Sequence, residues 1–310
     1  MKNETHLPTS GALKAGGIWA VALIGLAMSS QPARAQAING GTLSNLSFAI
    51  TGNTRPPNED NTAGYPTTII TRIWQDIEAA SPRPAFAIAT GNYMFANPAQ
   101  VPGTQAAQLK VYLNARAQFS NILYPAMGEH ECGAIADNCG TNPNLVNFVN
   151  MMLQPIGQSL PYYEVDFNGP QRAWTAKFVF VACNAWSPTQ ATWLSTALSK
   201  PTTYTFVVRN EGIGQTTAPC LSGTGSANAA TIMSQHPYTL LIVGLPSTYQ
   251  YLSGNKVVVV GNGGAPLSGS VNYGYVIARQ QANGTILFTE YDYNTNIAQS
   301  SFTVGRHGRR

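Results

Sequence analysis

The residues best suited to chemistry in this chain are Glu129, His130 and Glu131, which follow Gly128 at the end of an apolar run over 122–127. A buried strand that ends in glycine and then presents polar side chains directs them to its carboxyl edge, where open α/β sheets hold ligands. Carboxylates and imidazole can transfer protons or coordinate a metal ion. Their chemistry depends on the groups that neighbouring strands place beside them.

Alternating strands and helices in the first half of the chain supply those neighbours. Apolar runs at 48–51, 85–90 and 122–127 each end in a glycine, and helical patterns at 67–80 and 105–121 separate them. Three successive strand-to-glycine transitions place three polar loops on one edge of a parallel sheet. The sequence therefore predicts that the loops after residues 51, 90 and 127 lie together.

The second half of the chain is richer in strands. Strand patterns occur at 173–183, 203–208, 240–243, 256–260, 273–279 and 285–291, with one helical pattern at 189–198. Asn283-Gly284 is a hairpin signal between the last two strands. No low-complexity linker divides the chain, so we predict one α/β domain with two sheets.

Composition and charge limit the classes of partner. Apolar residues make up 44% of the chain and charged residues only 10%, which describes a globular protein with a surface rich in Ser, Thr, Asn, Gln and Gly. The net charge of +4 is too small to indicate nucleic-acid binding. Residues 305–310 are predicted to be a solvated basic tail; the alternative is contact with an anionic surface.

The first 35 residues have the pattern of an export signal. Lys2 and Lys14 precede an apolar run over 18–28, and Ala33-Arg34-Ala35 gives the small-x-small motif of a cleavage site. We therefore predict a signal peptide over 1–35, an N-terminal linker over 36–45, and a secreted or periplasmic protein without a membrane span after signal removal. An uncleaved membrane anchor is the alternative.

Export makes disulfides the expected state of the four cysteines. Cys132–Cys139 as a local pair and Cys183–Cys220 as a distant pair is the simplest of three possible connectivities. Metal ligation is the alternative, although no Cys-x-x-Cys spacing accompanies these residues.

Five loop motifs occur in order: Gly52-Asn53-Thr54-Arg55, Gly91-Asn92-Tyr93, Gly128-Glu129-His130-Glu131, Asn210-Glu211 and Gly244-Leu245-Pro246-Ser247-Thr248-Tyr249. In order and spacing they resemble the five loops of calcineurin-like metallophosphoesterases, which read Gly-Asp-x-His or Gly-Asp-x-Arg, Gly-Asp, Gly-Asn-His-Glu or Gly-Asn-His-Asp, a His, and Gly-His-x-His. The resemblance covers residues 46–291 and is supported by the segments 190–194 and 261–265. It implies a four-layer α/β/β/α fold over 46–304, in which helices flank a two-sheet β-sandwich.

The family's metal-ligand positions are substituted in this chain. They correspond to Asn53, Arg55, Asn92, Glu129, Asn210, Leu245 and Ser247. Some members have Arg at the position of Arg55, but the other six positions differ from the family. Phe95 stands where purple acid phosphatases have a tyrosine ligand. Because two divalent ions need anionic ligands to offset their repulsion, and an amide supplies only a dipole, we expect no metal cofactor here.

The resemblance also implies a role for His130. In the family a metal-bound hydroxide attacks phosphorus, and the third-loop His, followed by an acid as in His130-Glu131, helps protonate the leaving oxygen. A proton donor without an activated water does little. We therefore predict a catalytically inactive pseudoenzyme whose vacated positions, Glu131 among them, or whose surface bind an unknown ligand, which could carry phosphate, or another protein.

Several alternatives remain open at this point. A rebuilt metal site could use Glu129, His130 and Glu131, with Glu59 or Asp60, in an active phosphoester hydrolase, and a single ion could bind Glu129 and nearby amides. A structural, self-assembling role is suggested by the low charge and the Tyr-, Thr- and Asn-rich strands over 249–293.

The singled-out residues also have structural interpretations. His130 and Glu131 could form a buried pair that fixes their loop. Arg55 and Arg209 could cap strand ends or line an anion pocket.

Overall fold

Two β-sheets and five α-helices are formed by the part of the chain that the computed structural model describes, namely residues 35, 37–132, 139, 142–212, 225–270 and 272–306. The strands are β1 (Ala37–Thr42), β2 (Ser47–Thr51), β3 (Phe86–Ala89), β4 (Leu123–Pro125), β5 (Tyr163–Asn168), β6 (Thr175–Phe180), β7 (Tyr204–Arg209), β8 (Leu240–Val243), β9 (Tyr249–Leu252), β10 (Val257–Val260), β11 (Gly274–Gln280), β12 (Ile286–Asp292) and β13 (Ala298–Val304). The helices are α1 (Thr67–Ala79), α2 (Thr104–Arg116), α3 (Pro143–Phe148), α4 (Pro188–Ser199) and α5 (Gly225–Ser234).

Both sheets are mixed. The larger has the order β1-β5-β6-β7-β8-β10-β9, and the smaller has the order β13-β12-β11-β2-β3-β4. Parallel pairing joins β2, β3 and β4 in one sheet and β6, β7, β8 and β10 in the other. Each parallel group delivers the loops after its strands to a single edge, as the strand-to-glycine pattern predicts.

Aromatic side chains fill the space between the sheets. The ring of Phe48 on β2 lies 5.4 Å from that of Phe86 on the neighbouring strand, and 5.0 and 5.5 Å from Phe178 and Phe206 on the opposite sheet. Stacked and edge-on pairs at these distances contribute beyond the apolar area that they bury. The inner faces of the two sheets therefore share one core.

Helices cover the outer faces. Helix α1 buries Ile70, Ile73, Trp74 and Ile77, the i, i+3, i+4, i+7 pattern of one helix face, and contacts β11 of the smaller sheet. Helices α4 and α5 pack apolar residues on the larger sheet in a second core, which includes Leu194, Met233, Val207 and Val243. The predicted four-layer α/β/β/α arrangement is confirmed.

Several boundaries differ from the sequence prediction. The predicted linker over 36–45 is wrong in part, because residues 37–42 form β1, which pairs in parallel with β5. Strands β5, β9 and β13 and helices α3 and α5 were also not predicted. The Asn283-Gly284 hairpin is confirmed: Gly284 has φ 80° in the turn between β11 and β12.

The predictions for the signal peptide and for the end of the basic tail fall largely outside the described residues. In the described ranges, no helix combines the length and apolar content needed to cross a membrane.

Candidate functional site

Backbone hydrogen bonds join four of the five loops. The N–H of Asn53 donates to the Gly91 carbonyl at 3.1 Å, and that of Thr54 donates to the Asn92 carbonyl at 3.0 Å. In the larger sheet, Gly244 N donates to Asn210 O at 2.9 Å, and across the sandwich Gly263 N, after β10, donates to Gly52 O, after β2, at 2.9 Å. The loops after β2, β3, β7 and β8 therefore form one cluster, as their order in the sequence predicts.

Thr90 lies at the centre of this loop cluster. Its hydroxyl donates to the Val260 carbonyl at 3.0 Å, and its own carbonyl accepts from Asn210 Nδ2 at 2.8 Å. A Cβ atom at Gly52 would overlap the Thr90 hydroxyl, and one at Gly244 would lie 2.6 Å from the Thr90 carbonyl oxygen. Glycine at these two positions allows the strand ends to approach one another.

Asn53 and Asn92 both have left-handed backbones, with φ of 57° and 59°. Asn tolerates this conformation better than most residues. Both side chains are fully buried. Asn53 Nδ2 donates to the hydroxyl of Ser247, so the first and fifth loops are joined by a side-chain hydrogen bond.

Glu131 holds the second and third loops together. The side chain is fully buried, and its carboxylate accepts from the N–H groups of Gly128 at 2.7 Å, Asn92 at 2.8 Å and Tyr93 at 2.8 Å. Burial raises the pKa of Glu131 to about 7, while backbone hydrogen bonds oppose the shift. The hypothesis of a buried His130–Glu131 pair is wrong, because backbone amides occupy this carboxylate.

His130 lies instead against Phe95 and Glu129. Its ring centre is 4.6 Å from that of Phe95, and its Nε2 is 3.6 Å from Glu129 Oε1. Burial, and secondarily the charge of Arg55, lowers the pKa of His130 to about 3. The imidazole is therefore neutral at physiological pH, and its contact with Glu129 is not an ion pair.

Arg55 places a positive charge in the cleft. Its guanidinium carbon lies 4.9 Å from the centre of the Phe95 ring, a cation–π distance. Burial lowers the pKa of Arg55 and raises that of Glu129, and the attraction between the two charges opposes both shifts. Arg55 and Glu129 are thus electrostatic partners in the partly exposed part of the site.

The fourth loop contains a buried polar cluster: the sequence analysis named Arg209, Glu211 and Cys183 separately but did not predict that they lie together with Asn184. Asn184 Nδ2 donates to the Glu211 carboxylate, and Arg209 Nη1 lies 3.8 Å from Cys183 Sγ. Burial raises the pKa of Glu211 well above its ordinary value; the neighbouring Cys183 adds to the shift and Arg209 opposes it. The only sequence signal was the polar Arg-Asn-Glu run after β7.

Of the two predicted disulfides, one lies entirely among the described residues and the other does not. The Cys132–Cys139 disulfide is confirmed, with a Cα–Cα distance of 5.0 Å. Cys220 lies outside the described residues, so the Cys183–Cys220 pairing stays a prediction.

The two acids proposed as additional ligands of a rebuilt site have other surroundings. Glu59 is exposed, and Asp60 Oδ1 accepts from Asn97 N at 2.9 Å.

The donor set of the loop cluster does not fit a pair of divalent metal ions. Leu245 offers no donor atom, the amide of Asn53 is bonded to Ser247, and Glu129 already faces the cation Arg55. The buried amide oxygens of Asn53 and Asn210 accept no hydrogen bond in the described part of the chain, but they are neutral. Among the described residues no three His, Cys, Asp or Glu side chains cluster as metal ligands would.

Comparisons with known proteins reveal the fold. No family model matches the sequence, and no curated protein matches it. Solved structures do match: a purple acid phosphatase from yellow lupin (14% identity, TM-score 0.60), the anchor in the inner membrane complex of Plasmodium (13%, 0.60) and a dimetal phosphatase from Danio rerio (9%, 0.56). The matches cover 86%, 86% and 84% of this chain.

The chain has the calcineurin-like metallophosphoesterase fold, as the loop motifs predict. It spans 54% of the lupin phosphatase, 91% of the Plasmodium anchor and 98% of the fish phosphatase. At sequence identities this low, structural similarity establishes only the architecture of the chain. Its function has to be inferred from the residues at the site.

Proposed function

We propose that this protein is an exported, catalytically inactive relative of the metallophosphoesterases that acts by binding a ligand or another protein. The observation that carries the proposal is the hydrogen bond between Asn53 and Ser247. It joins two positions at which the family has an Asp and a His ligand. Neutral side chains that hydrogen-bond to each other across the site provide no charge to hold two divalent ions.

The remaining polar groups do not compensate. Bound metal ions would supply an activated water and stabilise charge on the phosphoryl oxygens. In this chain Arg55 is the cation that faces Glu129, and His130 is neutral and packed on Phe95. A neutral imidazole can exchange a proton with a substrate oxygen, but no residue described beside it replaces the activated water.

A binding or assembly role has support from one structural relative. The Plasmodium protein with this fold is described as an anchor, and this chain spans 91% of it. Export has separate support from the signal pattern over 1–35 and from the Cys132–Cys139 disulfide, since disulfides persist in oxidising compartments.

Metal analysis and a phosphoester assay on the purified protein test the proposal. We expect no stoichiometric divalent metal and no hydrolysis of p-nitrophenyl phosphate above background, with or without added Zn²⁺, Mn²⁺ or Mg²⁺. Two tightly held ions, with turnover that disappears in His130→Ala, would establish the rebuilt-hydrolase alternative. One bound ion without turnover would indicate the single-ion site at Glu129 and the amides.

A revertant provides the matched control. Asp at positions 53 and 92, Asn at 129, and His at 210, 245 and 247 should restore metal binding, because these changes return anionic and imidazole ligands to the loop cluster. A folded revertant that binds no divalent ion would show that the loops are aligned wrongly.

A further inference from the structure

A groove of about 430 Å³ opens between the edge strands β9 and β13, where the sandwich is not closed by another strand. Tyr249, Tyr251 and Phe302 supply its aromatic wall, and the rings of Tyr251 and Phe302 stack at 3.6 Å. Ser270 and Ser300 add hydroxyls. None of the substituted metal-ligand positions lines this groove, although Tyr249 is the last residue of the fifth loop motif.

Glu290 is the only charged side chain among the described residues that line the groove. It belongs to the inward-facing row of β12, after Ile286 and Phe288, and only 5% of its surface is exposed. A carboxylate in a row that otherwise fills the core is costly unless it has partners. Its position therefore calls for an explanation.

The carboxylate of Glu290 is poorly satisfied by the protein itself. The hydrogen bond that the described residues provide comes from Asn262 Nδ2 to Oε1, at a long 3.4 Å. Gly274 leaves room for this oxygen, since a Cβ there would lie 3.0 Å from it. Buried carboxylates usually accept several hydrogen bonds, so one long bond leaves acceptor capacity for a ligand in the groove that Glu290 lines.

Among the described residues, no cation contributes to the electrostatics of Glu290. Burial raises the pKa of Glu290 to about 7, the hydrogen bond from Asn262 lowers it, and the nearby Asp292 raises it further. No lysine or arginine contributes to the shift. A ligand that brings a positive charge would therefore stabilise the ionised carboxylate.

We propose that the β9–β13 groove binds an organic cation, a ligand with an alkyl ammonium or guanidinium group that pairs with Glu290 and packs its apolar part against Tyr249 and Tyr251. Aromatic faces attract such cations, and a single carboxylate in the groove lining fixes their orientation. A divalent metal ion fits less well, because hard cations require several charged or carbonyl oxygens and the groove supplies one carboxylate. The volume suits one small ligand or one side chain.

Calorimetric titration of the full chain tests the groove and identifies the source of the cation. The probes are agmatine, as a free diamine-type ligand, and N-acetyl-lysine amide, as the side chain of a peptide; N-acetyl-norleucine amide is the uncharged control. We expect one of the two cationic probes to bind, the norleucine derivative not to bind, and Glu290→Gln to weaken binding at least tenfold. Glu59→Gln, which removes an exposed carboxylate, should bind as the wild type does.

Ser300→Lys is a second variant that does not disturb the core. Ser300 is exposed and pairs directly with Glu290 across β12 and β13, so a lysine there would place a tethered ammonium next to the carboxylate. It should abolish binding of the free probe. Failure of both cationic probes to bind the wild type, or unchanged binding in either Glu290→Gln or Ser300→Lys, would overturn the proposal. Neither result bears on metal binding at the loop cluster.

Discussion

Replacing Glu131 should destabilise the protein more than any other single change in the loop cluster. The carboxylate accepts three backbone N–H groups at 2.7–2.8 Å from two different loops, and the residue has no exposed surface. In Glu131→Ala these donors lose their acceptor inside the protein. Each buried donor left without a partner costs about 1–3 kcal/mol, so the loss is about 3–6 kcal/mol if some water enters the cavity.

Glu131→Gln separates the hydrogen bonds from the packing. Oε2 accepts from Asn92 and Gly128 and Oε1 accepts from Tyr93, so a glutamine can keep its single oxygen where Asn92 and Gly128 donate. Its amide nitrogen then faces one N–H group, and we expect a loss of about 1–3 kcal/mol. Stability that decreases from the wild type to Glu131→Gln and then to Glu131→Ala would indicate that the side chain joins the loops as a hydrogen-bond acceptor.

Urea unfolding monitored by circular dichroism measures these differences. A small domain has only about 5–15 kcal/mol of stability, so Glu131→Ala should shift the midpoint strongly or prevent folding. Glu59→Ala, at an exposed carboxylate, is the matched control and should lie within about 0.5 kcal/mol of the wild type. If the free energy of unfolding of Glu131→Ala lies within about 1 kcal/mol of the wild-type value, the hydrogen bonds described above do not hold the loops together.

Three further predictions follow from the same region. The folded Glu131 carboxyl keeps its proton up to about pH 7, whereas the unfolded one loses it near 4.5, so its contribution to stability falls as the pH rises through this window. The difference in unfolding free energy between wild type and Glu131→Gln should therefore shift by roughly 3 kcal/mol in favour of the glutamine variant from pH 4.5 to 7, so the stability order given above applies near pH 4.5; a constant difference contradicts the raised pKa. The His130 ring resonances should not titrate between pH 5 and 8, because its pKa is about 3, and a midpoint near 6.5 would show a solvated imidazole. Reduction of Cys132–Cys139, which are seven residues apart, should cost about 2–3 kcal/mol in urea unfolding, while no change would mean that this bond does not stabilise the folded state.

Much of the site could be predicted from the sequence because it depends on short motifs and on the order in which they occur along the chain. A short apolar run that ends in glycine marks the carboxyl end of a buried strand, and parallel strands bring such ends together. The loop motifs therefore predict that Asn53, Asn92 and Asn210 lie in one cluster. The disulfide partner of Cys132 could also be predicted, since Cys139 is close to it in sequence.

The edges of the sheets and the partners of individual side chains were not predictable in this way. Strands β1, β9 and β13 lie at sheet edges, where exposed polar residues remove the apolar alternation that identifies a strand. Whether His130 pairs with Glu131 or Glu129 depends on rotamers and on the backbone amides of the second loop, which the sequence does not encode locally. The inward orientation of Glu290 is visible in the alternation after Ile286, but only with the strand's register known.

The hydrogen bonds around Thr90 have a consequence for how this chain can change over time. The strand ends are held by its hydroxyl, by its carbonyl and by backbone bonds between loops. At positions 53 and 92 Asn keeps a left-handed backbone that an Asp ligand could also adopt. Substitutions there alter charge without altering geometry, so selection on folding and selection on chemistry act on separate residues. Proteins with this architecture can therefore lose one activity and acquire another while they continue to fold.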